Sequence, residues 1–201
     1  MPKYSGGMDI IMKSFCVTST IQERSVEREL LLDDELIKKV SDGDVVAFET
    51  LYRATYAAVY GFSLSILKNQ FDAQDILQDT FIKIRDNAKN YQPQGKPLAW
   101  IFTITRNLSL MKIRERGKRS HMQLEDINLA SEDSTCTVED KMVLQAAFDV
   151  LGDKERQIVM LHALTGLKHK DIAQILGMPL STVLSKYKRS LEKLNKKMCE
   201  K

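Results

Sequence analysis

Glycine and proline are scarce in this chain, which has nine glycines and four prolines among its 201 residues. This is about half of their usual share. Few turn residues allow few of the tight connections that join β-strands, so the composition favours a helical protein. No apolar run approaches the ~18 residues of a membrane-spanning helix, and the N-terminus has no signal-peptide pattern. We therefore expect a cytoplasmic protein without membrane insertion.

Cysteine and histidine are also few, with three of each. They are scattered along the chain and form neither a C-x-x-C nor an H-E-x-x-H motif, which argues against a disulfide framework and a metal site. A P-loop, paired carboxylates and a nucleophile–base set, which would support a helical enzyme, are missing too. We therefore predict that the chain is not an enzyme and has no catalytic residue, no metal and no cofactor.

The formal net charge is only +3, but the charge is unevenly distributed. Residues 1–35 carry a net charge of −3, residues 36–120 of +6, residues 121–153 of −7 and residues 154–201 of +7. Two basic blocks are thus joined by an acidic connector. Basic blocks of this kind are candidates for binding a polyanion such as a nucleic acid.

Apolar periodicity predicts helices in both basic blocks, and no segment shows the period-2 alternation of a strand. The predicted fold class is all-α, with two small helical domains joined by a flexible acidic linker. We place a poorly ordered N-terminal extension at residues 1–25, the first domain at 26–119, the linker at 120–136 and the second domain at 137–201.

Local signals mark several helix boundaries in the first domain. Asp44 is predicted to cap a long helix that runs to Lys68. Asp72 followed by Asp75 resembles a capping box with Asp in place of Glu. Pro97 fits the first turn of the last helix of this domain.

The segment from Lys168 to Arg189 has the spacing of a helix-turn-helix. Ala173 is small where two helices would cross, Gly177 follows at the turn, and Val183 adds an apolar contact. Hydroxyls and cations near the start of a helix suit the base edges and phosphates of a DNA major groove. The outer side of the second helix carries such groups at Ser181, Thr182, Ser185, Lys186, Lys188 and Arg189.

The first domain has an acidic stripe, because helical spacing places Asp72, Asp75, Gln78 and Asp79 on one face. A basic partner helix could bind this stripe; a solvated helix face is the equally simple alternative. The last helix of the domain combines two aromatics, Trp100 and Phe102, with cations and amides. Aromatic side chains among cations can stack on exposed bases, at roughly 1–3 kcal/mol per base. Core packing is the alternative, and we expect it to be the main role of the tryptophan.

Three motifs, taken in order, resemble those of bacterial sigma factors of the two-domain extracytoplasmic-function (ECF) type, group 4 of the sigma-70 family. They are DAQDILQDTF at residues 72–81, AWIFTITRNL at 99–108 and the helix-turn-helix ending in TVLSK at 182–186. The resemblance covers residues 30–197, and the order and spacing of the motifs around an acidic linker make it specific.

This resemblance implies a factor that binds core RNA polymerase and directs promoter-specific transcription initiation. In such factors the first domain binds the clamp helices of the polymerase β′ subunit, and melts and reads the −10 element, where the loop corresponding to residues 90–96 captures a flipped base. The second domain docks on the β flap and places the helix at 180–189 in the −35 major groove. The acidic linker runs through the RNA exit channel, and an anti-sigma factor is a common partner.

The motifs also imply residue roles. The implied polymerase-binding residues are Asp72, Asp75, Gln78, Asp79 and Phe81. The implied −10-binding residues are Tyr91, Trp100, Arg106, Asn107, Lys112 and Arg114. The six outer residues of the second helix of the helix-turn-helix would bind promoter DNA at the −35 element.

Three positions depart from the family pattern. Met111 stands where such factors usually carry Asp, Leu184 where a polar residue is common, and Lys186 where Arg is usual. Lysine lacks the fork with which arginine reads guanine. The departures leave the expected fold unchanged, but the promoter sequence of the family cannot be transferred.

The main alternative is a stand-alone regulator with a C-terminal helix-turn-helix and a helical sensor domain. A sensor would need a ligand pocket or a phosphoacceptor. The basic charge and the aromatic–cation helix of residues 26–119 favour the sigma factor instead.

Overall fold

The computed structural model of the chain describes residues 32–119 and 150–199. These residues form seven α-helices and one 3-10 turn with no strand, so the predicted all-α class is confirmed. The extension predicted at 1–25 and the linker predicted at 120–136 lie outside the described residues. The elements are α1 (Asp34–Ser41), α2 (Val45–Leu67), α3 (Gln70–Asn87), the 3-10 turn (Ala88–Asn90), α4 (Pro97–Arg119), α5 (Asp153–Thr165), α6 (His169–Leu176) and α7 (Leu180–Cys199).

Short polar residues begin the first three helices. Asp33 caps α1 and Asp44 caps α2, as predicted for the latter, through side-chain hydrogen bonds to amides two or three residues later. Such caps satisfy backbone donors that a helix start leaves free. The cap of α3 is Asn69, whose side chain accepts from the amide of Asp72 at 3.0 Å. The predicted capping box beginning at Asp72 is therefore wrong, because the helix starts earlier and Asp72 lies in its first turn.

One buried apolar cluster runs through both halves of the molecule. Phe62 of α2 and Phe102 of α4 are fully buried and meet edge to face, with ring centroids 5.6 Å apart. Ile158 of α5 and Ile172 of α6 belong to the same cluster. Full burial of such side chains contributes about 1.5–3 kcal/mol each. The two halves therefore pack against each other, α2 on α5 and α4 on α6.

A smaller cluster anchors the last helix. Leu194 of α7 packs on Leu151, Val159 and Met160, all of which are buried. This contact fixes the distal end of α7 to α5, and its first turns pack on both α5 and α6.

Candidate nucleic-acid interface

The turn between α6 and α7 has the geometry that the sequence predicts for a helix-turn-helix. Gly177 ends α6 with a φ of 62°, a conformation that suits glycine. The amide of Met178 donates to the carbonyl of Ala173 at 2.9 Å, and the amide of Val183 donates to the carbonyl of Pro179 at 3.1 Å. Val183 is fully buried. These contacts lock α7 against α6 and fix which face of α7 turns outward.

That outward face carries the six residues predicted to bind the −35 element. Four are exposed and two, Thr182 and Lys186, are half-buried. Ser185 donates from its hydroxyl to the carbonyl of Ser181, and Arg189 donates from Nε to the carbonyl of Ser185. The structure thus places hydroxyls and cations together on the first three turns of α7, where a major groove could receive them.

Further contacts hold α7 in place. Glu155 of α5 accepts from the ammonium group of Lys193 at 2.7 Å and from the amide of Gly152 at 3.2 Å. Burial opposes ionisation of this carboxyl, but the two hydrogen bonds prevail and lower the pKa of Glu155. The imidazole of His162 stacks on that of His169 at a centroid distance of 4.7 Å, and both rings meet Tyr187 of α7.

The acidic stripe of α3 is only partly exposed. Asp75, Gln78 and Asp79 are exposed on the surface of the helix. Asp72 is 8% exposed, and Phe81 is 4% exposed and packs on Phe48 and Tyr52. The structure therefore separates the five residues implied for polymerase binding into three surface residues and two interior ones.

Asp72 has a clear internal role. Its carboxylate lies 2.8 Å from Nε of Arg116 and 3.7 Å from the ammonium group of Lys112, so it joins the start of α3 to the last turns of α4. Lys112 also donates to Asp75 at 3.0 Å, and this hydrogen bond is the main cause of its raised pKa. A residue implied for DNA binding is thus paired with one implied for polymerase binding.

Two exposed apolar side chains on α3 were missed by the sequence reasoning. Phe71 is 75% exposed and Ile82 is 47% exposed. They stand four residues before Asp75 and four after Gln78, which places them on the same helical face. Their four-residue spacing from Asp75 and Gln78 is visible in the sequence and could have predicted that they share the face of the acidic stripe.

The aromatic residues of α4 differ in their surroundings. Phe102 is fully buried, so it packs in the core and cannot stack on a base. Trp100 is half-buried and packs on the ring of Tyr91, with centroids 4.9 Å apart. Among the polar residues predicted on this helix, Asn107 and Arg114 are exposed, while the remaining two, Arg106 and Lys112, are half-buried.

The loop before α4 is held by a residue from the start of α1. Asp34 accepts from the hydroxyl of Tyr91 at 2.5 Å and from the amide of Gly95 at 2.7 Å, one bond to each carboxylate oxygen. Burial and then the bond to Asp34 raise the pKa of Tyr91. A cavity of about 330 Å³ lies between α1 and this loop, bordered by Asp34, Glu35, Lys38, Ser41, Ala88, Lys89, Tyr91 and Pro93.

Polar contacts also connect the two halves of the molecule. The ammonium group of Lys96 lies 2.6 Å from the carboxylate of Asp171 on α6. Nη2 of Arg106 donates to the carbonyl of Leu176, the last residue of α6, at 3.2 Å. The first helix of the helix-turn-helix, α6, therefore binds two cationic side chains of the first half. From the sequence, Lys96 is expected in the loop that captures a −10 base and Arg106 among the −10-binding residues.

A third contact joins α2 to α5. The ammonium group of Lys68 lies 2.7 Å from the carboxylate of Asp153. The hydrogen bond from Lys68 is the main cause of the lowered pKa of Asp153. None of these three contacts between halves was predicted from the sequence.

Comparison with known families decides the assignment. The family model "Sigma-70 region 2" matches residues 51–119, and the family model "Sigma-70, region 4" matches residues 141–194. Curated relatives include the ECF RNA polymerase sigma factor SigE of Mycolicibacterium smegmatis, 34% identical over 155 residues, which are 74% of this chain and 60% of that protein. The chain belongs to the sigma-70 family, as an ECF sigma factor. The ECF sigma factor SigW of Bacillus subtilis is 26% identical over 176 residues, which are 81% of this chain and 94% of that one.

Solved structures agree on the fold of this sigma factor. The sigma factor RpoE in complex with the anti-sigma factor NepR, from Bartonella quintana, matches with a TM-score of 0.61 and 23% identity, over 76% of this chain and 96% of that one. CnrH in complex with the cytosolic domain of CnrY matches with a TM-score of 0.59 and 22% identity, over 84% and 97% of the two chains.

Family membership confirms the resemblance to ECF sigma factors and the predicted function of a sigma factor that directs transcription initiation. It does not favour the stand-alone regulator. Among the helices of the described ranges, none combines the length and apolarity required to cross a membrane. In the same ranges no three metal-ligating side chains come together.

Proposed function

We propose that this sigma factor reads a promoter at two elements with two separate faces, the −35 element with α7 and the −10 element with α4 and the loop before it. The observation that carries the proposal is the outward face of α7, where a locked helix-turn-helix presents six hydroxyl and cationic side chains. The net charges of +6 and +7 of the two basic blocks support DNA binding by both, since cations that neutralise phosphates give affinity.

Binding to the polymerase core is proposed to use the exposed part of α3. Asp75, Gln78 and Asp79 offer acceptors to basic residues of the β′ clamp helices, and Phe71 and Ile82 flank them with exposed apolar area. An apolar centre with polar neighbours is the usual composition of a stable interface. The second domain would dock on the β flap.

At the −10 element, we propose that the exposed amide of Asn107 and the cation of Arg114 contact DNA, and that the loop at residues 90–96 captures one flipped base. Capture of an unstacked base offsets part of the cost of melting, which is a few kcal/mol per flipped base. Trp100 and Tyr91 form the aromatic support behind this loop. Arg106 and Lys112 would also contact DNA, once Arg106 releases the carbonyl of Leu176 and Lys112 releases Asp75.

Promoter binding would require the two halves to separate. The −10 and −35 elements are centred about 25 base pairs apart, which is about 85 Å at roughly 3.4 Å per base pair. In the structure α4 and α6 are in contact, and residues of α6 accept hydrogen bonds from Lys96 and Arg106. We propose that this closed arrangement is the resting form and that binding to polymerase selects an open form.

Several finer assignments belong to the same proposal. We propose the domain division at residues 26–119 and 137–201, with the acidic linker at 120–136 in the RNA exit channel, where it mimics the charge of RNA. The factor would act in the cytoplasm and catalyse no reaction of its own. The structural relatives in complex with anti-sigma factors support such a partner for this chain.

Run-off transcription with core polymerase across a promoter library tests the proposal. We expect transcription from a subset of promoters that share one −35 and one −10 sequence, and none from core alone. Absence of core binding at low salt would contradict the polymerase assignment. Transcription that ignores substitutions in the −35 element would contradict the role of α7.

A further inference from the structure

We propose that Asp34 is a positioning residue that holds the loop at residues 90–96 in the shape that captures a −10 base. The inference rests on the base capture proposed above. It adds a residue from the first described helix, outside all three motifs, to the promoter-reading machinery.

The carboxylate of Asp34 is free for this role because another residue caps the helix. Asp33 accepts from the amide of Leu36 at 2.8 Å and so satisfies the helix start. Asp34 follows as the first residue of α1, and both of its carboxylate oxygens accept hydrogen bonds from the loop. One accepts from the hydroxyl of Tyr91 and the other from the amide of Gly95. A carboxylate that accepts two hydrogen bonds from one loop fixes both the position and the orientation of that loop.

The two bonds reach both ends of the loop, which lie 57 and 61 residues after Asp34. The Tyr91 bond fixes the ring that packs on Trp100 of α4. The Gly95 bond fixes a residue with a φ of 66°, a conformation that suits glycine and that tightens the turn into Pro97. Between the two anchors, residues 92–94 are exposed.

The cavity of about 330 Å³ lies beside these anchors, with Asp34 and Tyr91 on its wall. This volume is at the lower end of the range of about 300–1,000 Å³ that small-molecule sites occupy. Lys38 and Lys89 border the same cavity and could meet the phosphates next to a captured base. If the bonds to Asp34 were lost, the loop would sample several shapes, and capture would have to repay the cost of ordering it.

A double-mutant cycle between the protein and the DNA tests the inference. Holoenzyme is assembled from core polymerase and the full chain, and its affinity is measured for single-stranded −10 DNA of a promoter selected by run-off transcription. Each base is replaced in turn by an abasic site. With the wild-type chain we expect one position at which the abasic site weakens binding about 5- to 150-fold, the range given by stacking of one base.

Asp34→Ala should reduce that penalty to less than about threefold while the penalties at the other positions stay unchanged. Asp34→Asn should give an intermediate value, because its amide retains one acceptor oxygen, and Asp34→Glu should restore part of the penalty. Tyr91→Phe removes a single bond and should act in the same direction, which keeps the test available if Asp34→Ala fails to fold. Glu49→Ala is the matched control, since Glu49 is an exposed acid that pairs with Arg53 within α2.

The outcomes separate the two proposals. If no position shows an abasic penalty with the wild-type chain, base capture by this factor is wrong. If the wild-type penalty is present and Asp34→Ala retains it in full, base capture stands and the role of Asp34 is overturned. If Asp34→Ala weakens DNA binding equally at every position and also weakens binding to core, Asp34 stabilises the domain in general. That result would also overturn its role in base capture.

Discussion

The ammonium group of Lys96 lies 2.6 Å from the carboxylate of Asp171, and this pair joins the end of the loop before α4 to the first helix of the helix-turn-helix. The side chain of Asp171 is only 11% exposed, whereas that of Lys96 is 43% exposed. An ion pair that is half in solvent contributes about 0–1 kcal/mol. The pair therefore aligns the two halves, and the shared apolar cluster holds most of the free energy of their contact.

Charge reversal at this pair should shift the equilibrium toward the open form by about 1 kcal/mol, because the apolar cluster that provides most of the contact energy remains. In Lys96→Asp the loop would carry a negative charge facing Asp171, and the repulsion should raise the fraction of chains in the open form. We expect a larger radius of gyration by small-angle X-ray scattering and easier −35 DNA binding. The double variant Lys96→Asp/Asp171→Lys should return to the compact radius. A compact Lys96→Asp chain would mean that the pair does not influence closure.

Asp79→Lys should weaken binding to core polymerase, because it reverses the charge of an exposed residue on the proposed docking stripe. We expect at least a tenfold rise in the dissociation constant, about 1.4 kcal/mol, measured by fluorescence anisotropy with labelled sigma factor. Glu49→Lys on α2 provides the same change of charge away from the stripe and should bind as the wild type does. Full core affinity of Asp79→Lys would remove the stripe from the proposal.

Lys186→Ala should weaken initiation at the −35 step by roughly 1–3 kcal/mol if the lysine contacts a base. Transcription from promoters with single −35 substitutions separates the roles. A base contact predicts relaxed preference at one position, and a phosphate contact predicts a uniform loss with a smaller salt dependence. Lys154→Ala, an exposed cation on α5, should leave the −35 preference unchanged. An unaltered preference in Lys186→Ala would exclude the base contact.

Phe102→Ala should destabilise the fold by about 3–5 kcal/mol, because it removes a fully buried ring and leaves a cavity beside Phe62. Urea unfolding followed by circular dichroism measures the change. Phe71→Ala removes the same ring from a site that is 75% exposed and should change the free energy of unfolding by less than about 0.5 kcal/mol. Equal effects of the two variants would contradict the buried position of Phe102.

Acidification should destabilise the second half through His169. Burial, and then the nearby His162, lower the pKa of His169 in the folded chain, whereas the unfolded chain titrates near the ordinary value of about 6.5. As the pH falls through about 6.5 the unfolded state binds the proton first, so the free energy of unfolding decreases until the pH is below the folded-state pKa. His169→Gln should make the urea midpoints at about pH 7.5 and about pH 5.5 more alike. An unchanged difference would assign the effect to other groups.

Local features of the sequence predicted most of the fold. Asp44 at the start of α2, Gly177 at the turn and Val183 behind it follow rules that involve neighbours within a few residues, and each stands where those rules place it. The all-α class follows from the same rules. Asp72 is the exception, because a short acidic residue in the first turn of a helix resembles a cap in the sequence. In the structure the cap is Asn69, whose side chain accepts the hydrogen bond from the amide of Asp72.

The candidate site was less predictable, since exposure depends on the whole fold. Helical spacing placed Asp72 and Asp79 on one stripe, but the return of α4 covers Asp72 with Arg116 and leaves Asp79 in solvent. The bond from Asp34 to Gly95 joins residues 61 positions apart, and the bond from Lys96 to Asp171 joins residues 75 positions apart. No periodicity or local motif reports such pairs.

The continuity of the buried cluster across the two halves has a consequence for the lifetime of the protein. An open chain without polymerase would expose the apolar faces of α2 and α5 to water, and uncovered faces of this kind promote aggregation and proteolysis. Closed chains would be spared, and so would chains bound to polymerase. Since the closed arrangement is the proposed resting form, chains in excess of free polymerase would be protected from turnover for as long as they stay closed.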